Sequence, residues 1–297
     1  MNEKYKQDFI KAGALANQVR LFGKSLIKKG ASYNEVIAKI NQKIIELDSR
    51  AAFPPQIALN HVAAHFLPQP DEDIIFNDQV VKLDVGVCYK GAIGDCAVTI
   101  DLSGKYQTLI DAAESALLAA QQNIEVGMPF HEIGKIIAAT IASYGYVPIK
   151  NLAGHGLGYY KVHTPPTIPN YDDHSKAVVK KEMTFAIEPF ATNGKGFIQE
   201  VGSPTIFSFA RKRPLHSTVL QFLLEKIKSF NGLPFAMHDF MGEQFSLTEV
   251  KKGLNELLDA GIITGYAPLL EKIGSMVAQA ENSILVDGNG KIIITTQ

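Results

Sequence analysis

Residues 80–100, VVKLDVGVCYKGAIGDCAVTI, decide the fold class of this 297-residue chain. Residues 80–87 and 92–100 are short runs rich in β-branched side chains, and Tyr89-Lys90-Gly91 separates them, so the stretch predicts a β-hairpin. Helical patterns precede it at residues 5–29 and 32–47 and follow it at 105–123 and 130–144. Helices and strands therefore come in blocks rather than in strict alternation, which predicts an α+β fold with an antiparallel sheet.

The rest of the chain predicts an inserted subdomain. Short strands are expected at residues 183–188 and 196–201, two amphipathic helices at 215–230 and 247–260, and strands again at 275–286 and 291–296. We therefore expect residues 1–204 plus 268–297 to form one catalytic domain, interrupted by a helical insertion at 205–267 with a winged-helix look.

Composition excludes several classes of protein. Hydrophobic residues make up 46% and charged residues 20%, and 29 Lys and Arg balance 30 Asp and Glu. That balance gives no reason to expect nucleic acid or an anionic membrane as the main partner. The polar N-terminus does not resemble a signal peptide, and two cysteines do not make a disulfide framework, so a cytoplasmic location is expected.

Four acidic residues lie in strand-like surroundings where acids are usually depleted. Asp84 and Asp95 belong to the hairpin, Glu188 follows the apolar run MTFAI, and Glu281 lies within VAQAENSILV. Burying an unpaired carboxylate is costly, so a cation is expected among them. Oxygen ligands together with one imidazole, that of His155, suit two divalent ions bridged by carboxylates.

Residues 151–166, NLAGHGLGYYKVHTPP, could suggest a phosphate-binding loop, but the pattern argues against one. The glycine spacing is GxGxG, and Pro165-Pro166 follows instead of a helix. We expect these glycines to let the backbone pass close to a metal site and to leave room for a peptide. An HxxxH pair at His61 and His65 lacks the glutamate of a zinc protease motif.

Together these motifs resemble the type II methionine aminopeptidases, in their compact archaeal-type form, which have the pita-bread fold. The resemblance covers nearly the whole chain and rests on AAFPPQIALNHVAAHFLP, DVG-x8-DCA, GHGLG, FAIEPFAT and VAQAE. Glu281 follows Glu188 by 93 positions, which leaves space for the helical insertion of the type II branch. One departure is Asn282-Ser283, where the family usually has His-Thr, which could tune the metal site without abolishing binding.

The resemblance implies a role for each of ten residues. Two divalent metal ions, Co, Mn, Fe or Zn, would be held by five side chains, with Asp95 and Glu281 bridging: Asp84, Asp95, His155, Glu188 and Glu281. Glu188 would also shuttle a proton, His163 would stabilise the oxyanion, and His65 would contact the substrate near the scissile peptide bond. The walls of the methionine pocket would be Phe53, Val162 and Tyr266.

The implied function is removal of the initiator methionine from nascent polypeptides and peptides with a small second residue. The resemblance further implies a cytoplasmic monomer that works at or near the ribosome, with no membrane and no direct nucleic-acid partner. Two alternatives stay open: a proline-specific peptidase (prolidase or Xaa-Pro aminopeptidase), which shares the five ligands, and a non-catalytic pita-bread binding protein.

Overall fold

The structure is a computed structural model that describes residues 1–214, 217–242 and 244–297. The helices are α1 (Glu3–Leu26), α2 (Tyr33–Glu46), α3 (Gln107–Asn123), α4 (Phe130–Ser143), α5 (Thr218–Ser229) and α6 (Leu247–Asp259). Strands of the first half are β1 (Arg50–Ala51), β2 (Gln56–Leu59), β3 (Val62–Ala64), β4 (Val80–Tyr89) and β5 (Ala92–Asp101). The next are β6 (Val147–Pro148), β7 (Ala153–Gly158), β8 (Lys161–Pro169), β9 (Met183–Ile187), β10 (Phe190–Thr192) and β11 (Gln199–Glu200). The last are β12 (Ile206–Phe209), β13 (Phe235–Ala236), β14 (Ile263–Tyr266), β15 (Leu269–Leu270), β16 (Val277–Gln279), β17 (Asn282–Val286) and β18 (Ile292–Ile294).

The predicted hairpin is confirmed and forms the centre of the first half of the molecule. β4 and β5 pair antiparallel from Val80 opposite Asp101 to Tyr89 opposite Ala92, and β1 and β2 pair with the free edge of β4. Helices α1 and α2 cover one face of this sheet, where their apolar stripes are buried with the inward side chains of β4. Ser32 caps α2 by accepting a hydrogen bond from the Glu35 backbone N–H.

The second half repeats this arrangement with a five-stranded sheet in the order β18-β17-β9-β7-β8. Helices α3 and α4 cover it, and the ring of Phe130 from α4 packs edge-on against Phe185 of β9 at 5.6 Å between centroids. All strand pairings in the described ranges are antiparallel, so the predicted α+β class is confirmed.

The two halves are joined along the line where β5 meets β16 and β17. Ala97 and Glu281 form an antiparallel bridge. The Thr99 hydroxyl donates to the Gln279 carbonyl at 2.7 Å and accepts from the Gln279 N–H at 2.8 Å. Since the acidic residues of the sequence motifs lie on both sides of this line, joining the halves brings them together.

The insertion is less helical than the sequence indicates. Besides α5, α6 and a 3₁₀ turn at Met237–Phe240, it contains the sheet β13-β12-β14. These strands are two to four residues long, too short to show a clear alternation of side chains. The predicted start of the first helix at residues 215–216 lies outside the described residues.

The insertion also has its own buried cluster, in which side chains of α5 and α6 pack on Phe207, Phe235 and Phe240. Its first and last strands nevertheless reach the main body, because Ile206 and Tyr266 pack with the core of the first half. The division into a catalytic domain and an insertion at residues 205–267 stays a prediction.

Two predicted strands differ from the structure. Only Gln199–Glu200 of the segment 196–201 pairs, and the segment 275–286 is divided into β16 and β17. The division falls at Ala280 and Glu281, where the Ala280 N–H bonds to the Pro189 carbonyl and Glu281 turns toward β5. Among the helices of the described ranges, none has both the length and the apolar composition of a membrane span.

Candidate active site

A cavity of about 230 Å³ lies between the two halves, and all ten side chains singled out from the sequence line it. Six of them lie on five strands and four lie in segments next to strands, over more than two hundred residues of chain. They are Phe53, His65, Asp84, Asp95, His155, Val162, His163, Glu188, Tyr266 and Glu281.

The acidic side of the cavity is built at the centre of the sheets. Asp84 and Asp95 lie on the paired strands β4 and β5, Glu188 directly follows β9, and Glu281 lies in the gap between β16 and β17. One ligand atom from each of Asp95, His155 and Glu281 lies within 4.8 Å of the others. The His155 Nε2 atom is 3.8 Å from Asp95 Oδ2 and 3.7 Å from Glu188 Oε1.

Burial and mutual repulsion make the carboxylates costly to ionise in the absence of a cation. Burial raises the pKa of Asp84 to about 7. The pKa values of Asp95, Glu188 and Glu281 are also raised well above their usual range, first by burial and then by the neighbouring carboxylates. Within the described residues, the buried Oδ1 of Asp84 has no hydrogen-bond partner.

His155 presents one ring nitrogen to the acidic cluster. Its Nδ1–H donates to the Gly156 carbonyl at 3.3 Å, which leaves the Nε2 lone pair directed at the acidic cluster. Burial, assisted by the nearby His163, lowers the pKa of His155 to about 3, so the imidazole is neutral at physiological pH. Four carboxylates with one unpaired oxygen, together with one neutral imidazole, make a donor set suited to divalent ions.

Two further histidines border the cavity. The ring of His163 meets that of His155 edge-on at 4.3 Å between centroids, and it is exposed at the cavity mouth. The protein atoms that crowd it lower its pKa nonetheless. Burial lowers the pKa of His65 to about 4, with His163 adding to the effect. Both imidazoles are therefore neutral near pH 7 and able to donate a hydrogen bond.

His65 is fixed by its surroundings. Its backbone N–H donates to the Gln56 side chain at 2.7 Å, its carbonyl accepts from the Thr205 hydroxyl at 3.0 Å, and its ring lies 5.8 Å from that of Tyr266. The Tyr266 hydroxyl in turn lies 3.0 Å from the Ser208 hydroxyl. The insertion therefore helps to hold one wall of the cavity.

The apolar wall contains more residues than the sequence indicated. Phe53 and Val162 are buried on the main body, and Ile206, Leu269 and Phe190 also line the cavity. These last three residues could not be told from core residues in the sequence, because apolar residues that line a cavity follow the same sequence pattern as apolar residues of the core.

Gln279 was not singled out from the sequence, although it orients two of the predicted ligands. Its side-chain N–H groups lie 3.5 Å from Glu188 Oε2 and 3.3 Å from Glu281 Oε2, and its Oε1 is buried without a hydrogen-bond partner in the described ranges. Its position two residues before Glu281 was a usable signal, since residues i and i+2 of a strand share a face.

Arg20, on α1, forms hydrogen bonds with the backbone and side chains next to the predicted ligand Glu281. Its guanidinium donates to the Glu281 carbonyl at 3.0 Å, to Asn282 Oδ1 at 2.9 Å and to the Thr296 carbonyl at 2.7 Å. Asn282 also accepts from the Thr296 hydroxyl at 2.8 Å. The asparagine that departs from the family pattern is thus a second acceptor for Arg20, beside the carbonyl of the predicted ligand Glu281.

Ser283, the second departure, bonds directly to the opposite half. Its hydroxyl accepts from the Asp95 N–H at 2.8 Å and donates to the Asp95 carbonyl at 2.9 Å. The backbones of Asp95 and Glu281 are therefore held at a fixed separation by neighbouring polar residues.

The glycines around His155 serve close packing. A Cβ atom at Gly154 would lie 2.3 Å from the Ala186 carbonyl oxygen, and one at Gly156 would lie 2.3 Å from the Pro165 carbonyl oxygen. β7 therefore approaches its neighbours more closely than a residue with a side chain allows, and this places His155 against the acidic cluster.

The sequence and the fold agree in assigning a class to the chain. Residues 7–210 match the model of metallopeptidase family M24, and the chain belongs to this family. Within it, the chain is 38% identical over 291 residues to a methionine aminopeptidase of Methanocaldococcus jannaschii, a match that covers 97% of this chain and 98% of the relative. Family and donor set together imply divalent metal ions.

Solved structures show the same fold. A methionine aminopeptidase from Thermotoga maritima has a TM-score of 0.71 at 21% identity and covers 100% of this chain and 98% of its own. A thermophilic Arx1 has a TM-score of 0.86 at 12% identity and covers 99% of this chain and 91% of its own. The predicted pita-bread fold is confirmed.

Proposed function

We propose that the protein is a metalloaminopeptidase that removes the N-terminal methionine from polypeptides. The observation that carries the proposal is one cavity in which the five ligand side chains of the acidic cluster face an apolar wall. A site of this kind accepts a short apolar side chain on one side and a scissile peptide bond on the other.

The ligands would be Asp84, Asp95, His155, Glu188 and Glu281, holding two divalent cations. When bound, such ions make water a stronger nucleophile at neutral pH and polarise the scissile carbonyl. Metal binding also neutralises the carboxylates whose ionisation burial otherwise opposes.

The other roles belong to groups of the chain itself. Glu188 lies at the acidic cluster beside the space for a substrate, where it takes the proton of the attacking water and passes it to the departing amine. His163, neutral and exposed at the cavity mouth, donates a hydrogen bond to the oxygen on which negative charge develops. His65, held through Gln56, orients the peptide near the scissile bond.

The methionine side chain would lie against Phe53, Val162 and Tyr266. A thioether chain is flexible and polarisable, so it packs well between an aromatic ring and aliphatic groups. Nascent chains are the substrates this chemistry implies. A monomer that acts in the cytoplasm, at or near the ribosome and without direct contact to nucleic acid or membrane, completes the proposal.

The decisive experiment compares substrates and variants. Protein freed of metal and reloaded with Mn²⁺ or Co²⁺ should release methionine from a Met-Ala peptide, and a chelator should stop the reaction. Glu188→Gln should lower kcat by at least about 100-fold, since a positioned acid-base group contributes about 10²–10⁴. Glu200→Gln, which removes an exposed glutamate, is the matched control and should be fully active.

Three results would contradict the proposal. They are release of methionine that a chelator does not affect, near-normal turnover by Glu188→Gln, and preferential cleavage of an Xaa-Pro dipeptide. The last would identify a proline-specific peptidase.

A further inference from the structure

A second group of metal-binding side chains lies outside the cavity, on the surface where α4 begins. His131 is in the first turn of α4, and Asp172 and His174 belong to the loop after β8. Asp172 Oδ1 is 3.0 Å from the Nδ1 atom of His131 and 3.0 Å from the Nδ1 atom of His174. None of the three residues lines the active-site cavity.

The loop that carries two of these side chains is held by bonds outside the group. At its start, the buried Asn170 side chain donates to the carbonyls of Leu152 and Glu188, each at 3.1 Å. At its end, the Ala177 carbonyl accepts from the Phe130 N–H at 2.9 Å. The loop therefore faces the first turn of α4 independently of any contact among the three side chains.

The backbone conformation of the loop also brings the His174 side chain close to Asp172. His174 has a φ of 58°, a conformation that residues with a side chain adopt rarely, and its N–H donates to Asp172 Oδ1 at 3.1 Å. This turn directs the His174 imidazole back over the Asp172 carboxylate. Its side chain is 83% exposed, so it can rotate to meet an ion without displacing other groups.

We propose that His131, Asp172 and His174 form a zinc site separate from the two metal ions of the cavity. Two imidazoles and one carboxylate are a donor set that suits Zn²⁺, with water in the fourth position. Ligands about 2.0–2.1 Å from zinc at the tetrahedral angle lie about 3.3 Å apart. The two measured N···O separations of 3.0 Å need to open by only a few tenths of an ångström.

The distance between the ligand atoms of His131 and His174, and the charges around the site, are compatible with this geometry. All three ligand atoms lie within 4.8 Å of one another, so rotation of the exposed His174 ring closes the remaining gap. The start of α4 opposes a cation through its helix dipole, but the carboxylates of Asp172 and Glu132 offset this effect. Glu132 Oε1 lies 3.9 Å from His131 Nδ1, and Lys135 pairs with the other Glu132 oxygen at 3.5 Å.

An occupied site would tie the first turn of α4 to a loop that begins at Asn170. The Asn170 side chain donates a hydrogen bond to the backbone carbonyl of Glu188, which lines the cavity. An ion bound to the loop would therefore also restrict movement of the Glu188 backbone. The inference does not depend on the proposed peptidase activity, because it concerns how many ions the chain binds.

The test counts zinc ions per chain. Metal-free protein is dialysed to equilibrium against Zn²⁺ buffered at a low micromolar concentration, and bound zinc is measured by elemental analysis. We expect His174→Ala and Asp172→Asn to bind one zinc ion fewer than the unaltered chain. Asp173→Asn, which removes a neighbouring charge but no proposed ligand, should bind as much as the unaltered chain.

A crystal soaked in the same buffer should show an anomalous zinc peak within about 2.5 Å of both imidazole Nδ1 atoms. Equal zinc content in the unaltered chain and His174→Ala would overturn the proposal, as would zinc peaks confined to the cavity. Since His174 is exposed, its variant tests the site even if Asp172→Asn disturbs the loop.

Discussion

In metal-free protein, Asp84 should lower the free energy of unfolding as the pH rises from about 4 to 7, the opposite of the usual behaviour of paired carboxylates. The buried neutral imidazoles of His65 and His155 act the other way below about pH 6.5, because their pKa values are lowered, so the effect of Asp84 has to be isolated by substitution. The folded state raises the pKa of Asp84 from 3.8 to about 7. Between these values the unfolded chain has released a proton that the folded chain retains, so the free energy of unfolding falls with pH.

The size of the effect follows from the shift. About 3 pH units at about 1.4 kcal/mol per unit give about 4 kcal/mol for Asp84 alone. This is an upper limit, because Asp84 is partly open to water in the cavity. Asp95, Glu188 and Glu281 act in the same direction but not additively, since the pKa of each is raised by burial and also by at least one neighbouring carboxylate of the cluster.

The assay is urea denaturation at pH 5, 6, 7 and 8, followed by circular dichroism, in EDTA and in saturating Mn²⁺. Because the histidine contributions are shared, the quantity compared is the free energy of unfolding of the unaltered chain minus that of Asp84→Asn, and we expect this difference to fall with pH in EDTA. In EDTA, Asp84→Asn should be more stable than the unaltered chain at pH 8, although it should bind metal more weakly. The exposed Asp71→Asn removes a charge outside the cavity and should follow the unaltered chain. A difference between the unaltered chain and Asp84→Asn that is flat or rises with pH in EDTA would refute the reasoning.

Three further substitutions test individual parts of the site. Arg20→Met should weaken metal binding by about 10- to 100-fold in calorimetry, as expected for loss of a group that orients ligands, and an unchanged affinity would show that its bonds to Glu281 and Asn282 do not position the site. His163→Ala should lower kcat by about 10²–10³ while zinc or manganese content stays constant, and a normal kcat would exclude it from oxyanion stabilisation. Gly156→Ala should lower the free energy of unfolding by about 1–3 kcal/mol in urea, because its Cβ would overlap a carbonyl oxygen, and equal stability would mean that β8 can move away.

The acidic residues could be located from the sequence because their surroundings conflict with their chemistry. Asp84 and Asp95 interrupt mostly apolar strands, and such a conflict is costly unless a ligand resolves it. The hairpin was equally clear, because two runs rich in β-branched side chains, separated by Tyr89-Lys90-Gly91, lie next to each other in the chain. Both features are local and need no knowledge of distant contacts.

Features that depend on distant partners could not be found in this way. Arg20 lies 262 residues before Asn282, and nothing near it in the sequence shows that its guanidinium contacts the backbone of a ligand. His131 and Asp172 are 41 residues apart, and only the folded loop brings them together. The short strands of the insertion are stabilised by pairing with each other, so their own side-chain patterns indicate little.

The hydrogen bonds between Ser283 and Asp95 also have a consequence for how the protein matures. They join residues 188 positions apart, and closing a loop of that length costs entropy before the contact forms. During synthesis, all five ligand residues are present only after Glu281 has left the ribosome. Asp84 and Asp95 lie in one half of the molecule and Glu188 and Glu281 in the other, so we expect metal to load only after β16 and β17 have joined β5.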